Sequence, residues 1–457
     1  MISLRPTLRR LLALAGLAAR EALRGRLVLS VLVAVAAALA ALAWGATGDG
    51  TAAGRLRAYL SWGTTWIGLT LSLVAAFLPS SLAVALKDGR LIPVTTGPLP
   101  RQLVPVAWWL GQVAVLLGLA LVTHAGLFGL ALALRATTPE AERAGLEPVL
   151  EARVLVRPDP TVHASTGEPM DRKWIEAQAA AQALKLEKAG ALADLGPGGF
   201  EEVAAELADQ LSTRLRTAPP GGLLRWSFSG VEPAPGARAV ALRFQYAARD
   251  VRGALPPGQG PRGVFSLHTP TTSSDLPVRA SAGSVHEQLV PVAYLDGSTR
   301  VVVEYANRDP RQVVVTFPED GVAFLYPAGG GFLLNVARAA LVLAGRLALL
   351  LAVGVAAAAL IDGKLASLMT LSVLAVCSGH EFLRDAVSQD ALSPMSLVLW
   401  ILPDLGHDDL SGALAAGLAI PWASVGVYGL VHGLVVGGVV VLVGALLFGL
   451  RELGSIR

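Results

Sequence analysis

Two His-Glu pairs are the residues with the most obvious chemical use. His286-Glu287-Gln288-Leu289-Val290 and His380-Glu381-Phe382-Leu383-Arg384 both begin like the zinc motif His-Glu-x-x-His. In that motif two histidines one helical turn apart share a metal, and the glutamate acts as base. Here the closing positions are Val290 and Arg384, so the second ligand is missing from both. The chain has no Gly-x-x-x-x-Gly-Lys-Ser/Thr loop for nucleotide phosphates and no Gly-x-Ser-x-Gly nucleophile elbow. The 7 histidines are scattered, and Cys377 is the single cysteine, which excludes an intrachain disulfide. Catalytic residues, metal ligands and a bound cofactor are therefore not expected in this chain.

Three other polar residues stand out by their surroundings. Arg346 falls inside the apolar stretch Asn335–Ile361, eight residues after Arg338. A guanidinium at membrane depth is costly and is a functional candidate by default; the alternative is snorkelling toward the interface beside Arg338. His124 and His432 lie in other apolar stretches. They could face a polar path, or pack between helices. Most distinctive is the polar segment Lys87-Asp88-Gly89-Arg90-Leu91-Ile92-Pro93 through Pro98-Leu99-Pro100-Arg101, followed by the apolar run that contains Gly111.

The elements that position these residues follow from where charge is absent. Leu27–Ala46, Trp62–Leu86, Leu103–Leu134 and Val425–Leu450 contain no Asp, Glu, Lys or Arg. Each matches or exceeds the ~20 apolar residues that cross a bilayer, and a helix of that kind satisfies its own backbone in lipid. The chain is 53% hydrophobic and 16% charged, against roughly 25% charged in soluble domains. Its net charge of +3 gives no case for nucleic-acid binding. Two less clean stretches bring the expected spans to six, at 27–46, 62–86, 103–134, 335–361, 365–383 and 423–450. Ala386–Asp409, with Pro394 and Pro403 around an apolar run too short to cross, reads as a re-entrant or interfacial hairpin. Residues 1–26 carry six arginines among helically spaced Leu and Ala, the pattern of an amphipathic helix in the interface rather than of a cleavable signal.

Lys and Arg in the short loops set the orientation. The basic N-terminus, the 87–102 loop, Asp362-Gly363-Lys364 and the C-terminal Arg451 to Arg457 fall on the cytoplasmic side, and the acidic connection before the last span falls outside. Arg55 and Arg57 are a mild exception. Both termini are then cytoplasmic, and residues 135–331 form a domain outside the cytoplasm. Its first half is helical, at Asp171–Leu192 and Phe200–Arg216, and its second half holds short strands between turn signals, as in a small β-sandwich. Expected strands are Glu151–Val156, Leu223–Phe228, Ala239–Ala247, Gly263–His268, Gln288–Leu295, Arg300–Tyr305 and Gln312–Phe317. Gly329-Gly330-Gly331 reads as a linker to residues 332–457. The expected fold class is thus a polytopic α-helical membrane protein with about six transmembrane helices plus an α+β extracytoplasmic domain.

An interfacial N-terminal helix, six spans and the 87–102 loop together resemble the permease subunit of type-2 ABC transporters. In that family the loop between spans two and three reads acid-x-Gly/Arg-x-Leu…Pro-x-x-Arg, then an apolar span with Gly near its start. Asp88, Gly89, Arg90, Leu91, Pro98, Arg101 and Gly111 fit. The last span of the family often ends in Phe-x-x-Arg-Glu-Leu, as does Phe448-Gly449-Leu450-Arg451-Glu452-Leu453. The resemblance covers about half the chain and departs from many members in the large domain between spans three and four. It implies that Lys87, Asp88, Gly89, Arg90, Leu91, Ile92, Pro98 and Arg101 form a coupling loop that docks on a separate cytoplasmic ABC ATPase. It also implies a homodimer or heterodimer of permeases in the inner or plasma membrane, with residues 135–331 free for an extracytoplasmic partner. The alternative is a membrane-anchored binding or scaffold protein without transport activity.

Overall fold

The structure is a computed structural model. It describes residues 4–48, 50–91, 100–160, 170–189, 199–233, 237–250, 253–254, 260–328, 331–380, 382–383, 402 and 409–450. The chain divides into two compact units, one of residues 1–152 with 330–457 and one of Arg153–Gly329.

The first unit is helical. Helix α1 (Leu4–Arg24) and α2 (Arg26–Gly45) are followed by α3 (Ala52–Phe77) and α4 (Ser80–Lys87). Next come α5 (Leu103–Thr137), then, after the two helices α6 (Arg172–Lys188) and α7 (Gly199–Leu215) of the other unit, α8 (Gly331–Ala358), α9 (Gly363–Ser378), α10 (Leu410–Ala415) and α11 (Trp422–Leu450). Among the described residues, five helical stretches are long and apolar enough to cross a membrane: α2, the α3–α4 stretch Ala52–Lys87, α5, α8 and α11.

The expected second span is part of a 36-residue stretch. Pro79, which has no N–H to donate and cannot continue the helix above it, separates α3 from α4. Gln112, fully buried on α5, bonds the break: its Nε2 donates to Leu78 O at 2.9 Å and to Ser81 Oγ at 3.1 Å. The expected fifth span, 365–383, is the shorter α9 of 16 residues. At 1.5 Å per residue it covers about 24 Å, less than the ~30 Å hydrocarbon thickness. The hairpin expected over Ala386–Asp409 lies outside the described residues except for Leu402 and Asp409.

α8 is the hub of this unit. It packs against α5, α11, α9 and α3, and most of its residues are buried, including Asn335, Arg338 and Arg346. It can be surrounded because it is apolar on all sides. By contrast, α2, α3 and α11 leave large apolar side chains such as Leu29, Val33, Leu69, Leu430 and Leu446 exposed, as lipid-facing surfaces do.

The second unit begins later than expected. Residues 135–152 belong to the helical unit: α5 runs on to Thr137, and Leu146 and Val149 are buried in the helical core. Within the second unit, α6 (Arg172–Lys188) and α7 (Gly199–Leu215) pack on each other. Asp171 caps α6 by accepting from Trp174 N at 2.9 Å.

The described residues of this unit also form twelve strands: β1 (Arg153–Val156), β2 (Thr217–Ala218), β3 (Leu223–Ser229), β4 (Ala239–Gln245), β5 (Ala247–Asp250), β6 (Gly253–Ala254), β7 (Arg262–His268), β8 (Ser273–Arg279), β9 (Val285–Pro291), β10 (Arg300–Asn307), β11 (Val313–Thr316) and β12 (Val322–Pro327). They form three four-stranded sheets, ordered β1-β12-β4-β9, β3-β10-β7-β8 and β2-β11-β5-β6. Every strand pair is antiparallel. The result differs from the expected two-sheet sandwich by its third sheet. All three contribute to one core, in which Phe265, Tyr305 and Phe317 meet with centroids 5.0–6.3 Å apart. Edge-to-face aromatic pairs of this kind add about 0.5–1.5 kcal/mol each beyond burial. Burial holds the Tyr246 hydroxyl's pKa up at about 12, although that hydroxyl donates to Ala280 O at 2.7 Å.

The strand expected at Gln288–Leu295 is displaced. β9 ends at Pro291, and Val292–Leu295 is a 3-10 turn. The run Ala239–Ala247 is two strands in different sheets, split at Tyr246.

Candidate functional site

The 87–102 loop begins where α4 stops, and its motif residues explain the stop. Asp88 is the C-cap, and Gly89 has φ +71°, a left-handed conformation that favours glycine. Gly89 N donates to Leu86 O at 3.2 Å and Arg90 N to Ala85 O at 3.1 Å. These are the paired bonds of a Schellman motif. Gly89 therefore has a local structural task, and Lys87 sits in the last helical turn, where a cation suits the helix dipole. Leu91 is 2% exposed and anchors the outgoing chain. Ile92 and Pro98 lie outside the described residues. The chain returns at Pro100, whose carbonyl accepts from Leu103 N at 2.8 Å as α5 begins.

Around this loop three distant parts of the sequence meet. Arg101 Nη2 donates to the carbonyl of Gly449 near the end of α11. A side chain at Gly449 would place its Cβ 2.6 Å from Gln102 Cγ, so the glycine permits the close approach. Arg90 pairs with Asp88 at 2.8 Å and comes within 3.8 Å of Glu21 on α1. The Arg90 side chain is 60% exposed, so these pairs contribute less than about 1 kcal/mol to stability. Exposed charge held in place this way is better suited to recognition than to cohesion.

α1 is held against the same region. Leu14, Ala15, Ala18 and Ala22 are buried, while Leu8, Leu12 and Leu23 are more than half exposed. α1 packs on α5, and a Cβ at Gly111 would sit 2.2 Å from Ala15 O and 3.0 Å from Ala18 Cβ. Gly111→Val is expected to push α1 off α5 at a cost of about 1–3 kcal/mol. Limited trypsin digestion of the full chain should then cut at Arg9, Arg10 and Arg20 several-fold faster. Unchanged cleavage would mean that the crossing does not need the glycine.

The intramembrane candidates do not join this cluster. His124, 1% exposed on α5, donates from Nδ1 to Ala120 O at 2.8 Å. His432 on α11 is half-buried, donates from Nδ1 to Val427 O at 3.1 Å and stacks on Tyr428 at 5.4 Å. Both imidazoles are thus bonded to their own helices. Arg346 lies under the Tyr428 ring, its guanidinium carbon 4.3 Å from the centroid, and Arg338 lies 4.5 Å under Trp422. Arg338 Nη1 also donates to Ile420 O at 3.1 Å. Asn335 completes this contact: its Nδ2 donates to Leu418 O and its Oδ1 accepts from Ile420 N, both at 2.7 Å.

The sequence carried no signal for Asn335 or Tyr428, because a lone amide and a lone phenol in an apolar run have no diagnostic spacing. Gly449 was marked only as part of the Phe448–Leu453 motif, and nothing in the sequence paired it with Arg101.

Of the two His-Glu pairs, the described one is His286-Glu287. His286 and Glu287 are neighbours on β9 and so point to opposite faces. His286 Nε2 donates to Ser281 O at 2.8 Å, and Glu287 accepts from Arg153 Nη1 and Nη2 at 2.6 and 3.1 Å. Glu381 lies outside the described residues. Among the described residues no three His, Cys, Asp or Glu side chains are grouped to hold a metal. The chain matches no family model, no curated protein and no solved structure.

Proposed function

We propose that this chain is the membrane-spanning permease subunit of an ATP-driven ABC transporter of the type-2 class, directed to export or to mechanical work in the envelope. The observation that carries this reading is the meeting of the two motif segments named above: Arg101 of the loop bonds Gly449 at the end of α11. ATP-driven movement delivered to the 87–102 loop would reach α4 and α5 directly and α11 through Arg101. The loop is the docking site for a separate cytoplasmic ATPase, which supplies the hydrolysis. The chain acts as a dimer, with itself or with a second permease. α9 completes a set of six spans with neighbouring residues, both termini are cytoplasmic, and the domain that includes Arg153–Gly329 lies outside, available to substrate or to an envelope partner.

Purification of the full chain from its native membrane, with identification of co-purifying proteins, tests the reading. An ABC ATPase recovered in stoichiometric amount is the expected result. A chain that reproducibly brings down no ATPase, and whose addition leaves no ATPase stimulated, favours the membrane-anchored scaffold.

The orientation is tested separately with single-cysteine variants on a Cys377→Ser background. An impermeant thiol reagent applied to sealed cells should modify Ser273→Cys and spare Thr96→Cys. Modification of Thr96→Cys alone would reverse the orientation and remove the loop from the ATPase's side.

A further inference from the structure

The helix pair of the second unit is covered on one side only. Helices α6 and α7 pack on each other, and among the described elements neither packs to a comparable extent on any strand. Their buried residues are Ala179 and Ala183 on α6 and Gly199 on α7. Yet α7 is amphipathic. Val203, Ala204, Leu207, Ala208, Leu211 and Leu215 recur at the three- and four-residue spacing of one helical face. None of the six is buried, and Leu215 is 37% exposed. On α6, Leu184 and Leu186 are 43% and 39% exposed. Helices in proteins owe most of their stability to burial of such a face. This hairpin therefore presents an apolar stripe that the described residues of one copy cover only in part.

Charge sorts between the two helices. α6 carries four basic and two acidic residues, and α7 four acidic and one basic. Lys185 and Lys188 lie in the last turn of α6, and Glu201 and Glu202 in the first turn of α7, where each suits its own helix dipole. All four are exposed, and among the described residues none of them makes an ion pair. The ion pair on α6, Arg172 with Glu176, is local to that helix. Opposite charges beside a half-covered apolar stripe are the means by which helix bundles choose their partner helices.

We propose that the stripe is covered by a second copy of this chain: two α6–α7 hairpins meet across a two-fold axis as an antiparallel four-helix bundle. An axis parallel to the helices keeps their directions, so α7 of each copy lies between its own α6 and the α6 of the other copy. Every neighbouring pair of helices then joins a basic helix to an acidic one. The α7 stripes turn toward the axis, and the Lys185–Lys188 end of α6 meets the Glu201–Glu202 end of the other copy's α7. Two copies of one hairpin supply both halves of the charge match, which a surface of a single sign does not. The inference names a contact for the self-paired form of the dimer proposed above. It requires neither an ATPase nor transport, so the co-purification above and the test below fail independently.

Crosslinking of the full chain in native membranes reads the contact. On a Cys377→Ser background, Ala208→Cys places one thiol on the α7 stripe, and a short bis-maleimide should join two copies into a covalent dimer. Ala204→Cys, one turn away, repeats the measurement. Glu201→Lys/Glu202→Lys should lower the yield several-fold, and so should Lys185→Glu/Lys188→Glu, because each variant sets like charge against like charge across the axis. Co-expression of the two charge variants with different tags should restore the yield, with both tags in the dimer, because opposite signs face each other again. The proposal is overturned by the absence of a covalent dimer from either cysteine, or by yields that the charge reversals do not lower. Loss in both variants without restoration on co-expression also overturns it, and assigns the charges to the hairpin's own fold. A crosslinked product that contains a different protein in place of the second copy overturns it too, and gives the stripe to an envelope partner.

Discussion

Reversing the charge of both Arg90 and Arg101 to Glu is expected to reduce recovery of the ATPase to background while leaving insertion of the chain intact. The two positions fail for different reasons. Arg90 is mostly exposed and contributes little to the fold. Arg90→Glu places a third carboxylate beside Asp88 and Glu21, so the proposed ATPase would meet three like charges where it met a cation. Charge complementarity at a rim governs association rate and partner choice, and about a tenfold loss of affinity, near 1.4 kcal/mol, is a reasonable size for one such reversal. Arg101 is half in the structure, because its guanidinium donates to Gly449 O. Arg101→Glu turns that donor into an acceptor facing a carbonyl and should also loosen the end of α11 from α5. The two effects separate with Arg101→Lys, which retains charge but not the planar fork. That variant should bind the ATPase nearly normally and lose coupling, measured as transport or ATPase stimulation per complex. Arg9→Glu on α1 controls for general charge on that side. Wild-type recovery by the Arg90→Glu/Arg101→Glu variant would reduce the loop to a connector.

The sequence made the helical unit legible because charge-free length is a strong signal. The helices at 26–45, 103–137, 331–358 and 422–450 lie within a few residues of the apolar runs. What it could not give was the break at Pro79, since Trp62–Leu86 is one charge-free run across it, or the continuation of the helical unit over 135–152, whose buried Leu146 and Val149 sit among charges. In the second unit two of the missed strands have separate physical causes. β8 contains Pro277, which reads as a strand breaker. It is tolerated because β8 is an edge of its sheet, where a missing N–H breaks no ladder. β12 has no alternation, because it lies between β1 and β4 with its first four residues buried. The candidate loop was found from its polar punctuation alone. Its contacts to Glu21 and Gly449 join positions more than sixty residues apart, and long-range pairing of that kind leaves no trace in the spacing of a single sequence.

Replacing Asp309 by Ala is expected to destabilise the β-rich part by about 1–3 kcal/mol, chiefly by leaving the Arg262 and Arg311 backbone N–H groups without their acceptor. Its carboxylate is fully buried and accepts four bonds: Arg262 N at 2.8 Å, and Arg311 N, Nε and Nη2 at 2.9 Å each. It sits in the β10–β11 turn beside Asn307, whose Nδ2 donates to Ala218, Pro219 and Val313 carbonyls. One turn thereby ties β2, β7, β10 and β11 together. The Arg311 side chain, with the Arg262 and Arg311 backbone N–H groups, holds the Asp309 carboxyl well below the usual carboxylate range. A depressed folded-state pKa contributes stability that is fully present above the unfolded value of about 3.9 and is lost as pH falls through the folded value. The turn should therefore stay closed at pH 4 and open only in stronger acid. Pulsed hydrogen exchange of the full chain, labelled after incubation from pH 7 down to pH 2, reads this on peptides covering residues 300–317. Wild type should protect them down to at least pH 3, whereas Asp309→Ala should expose them more at every pH. Asp309→Asn, which keeps one acceptor oxygen but cannot ionise, should lie between the two and lose the acid-dependent step. Equal protection in wild type and Asp309→Ala at pH 7 would mean that the aromatic core, not this turn, holds the sheets in register.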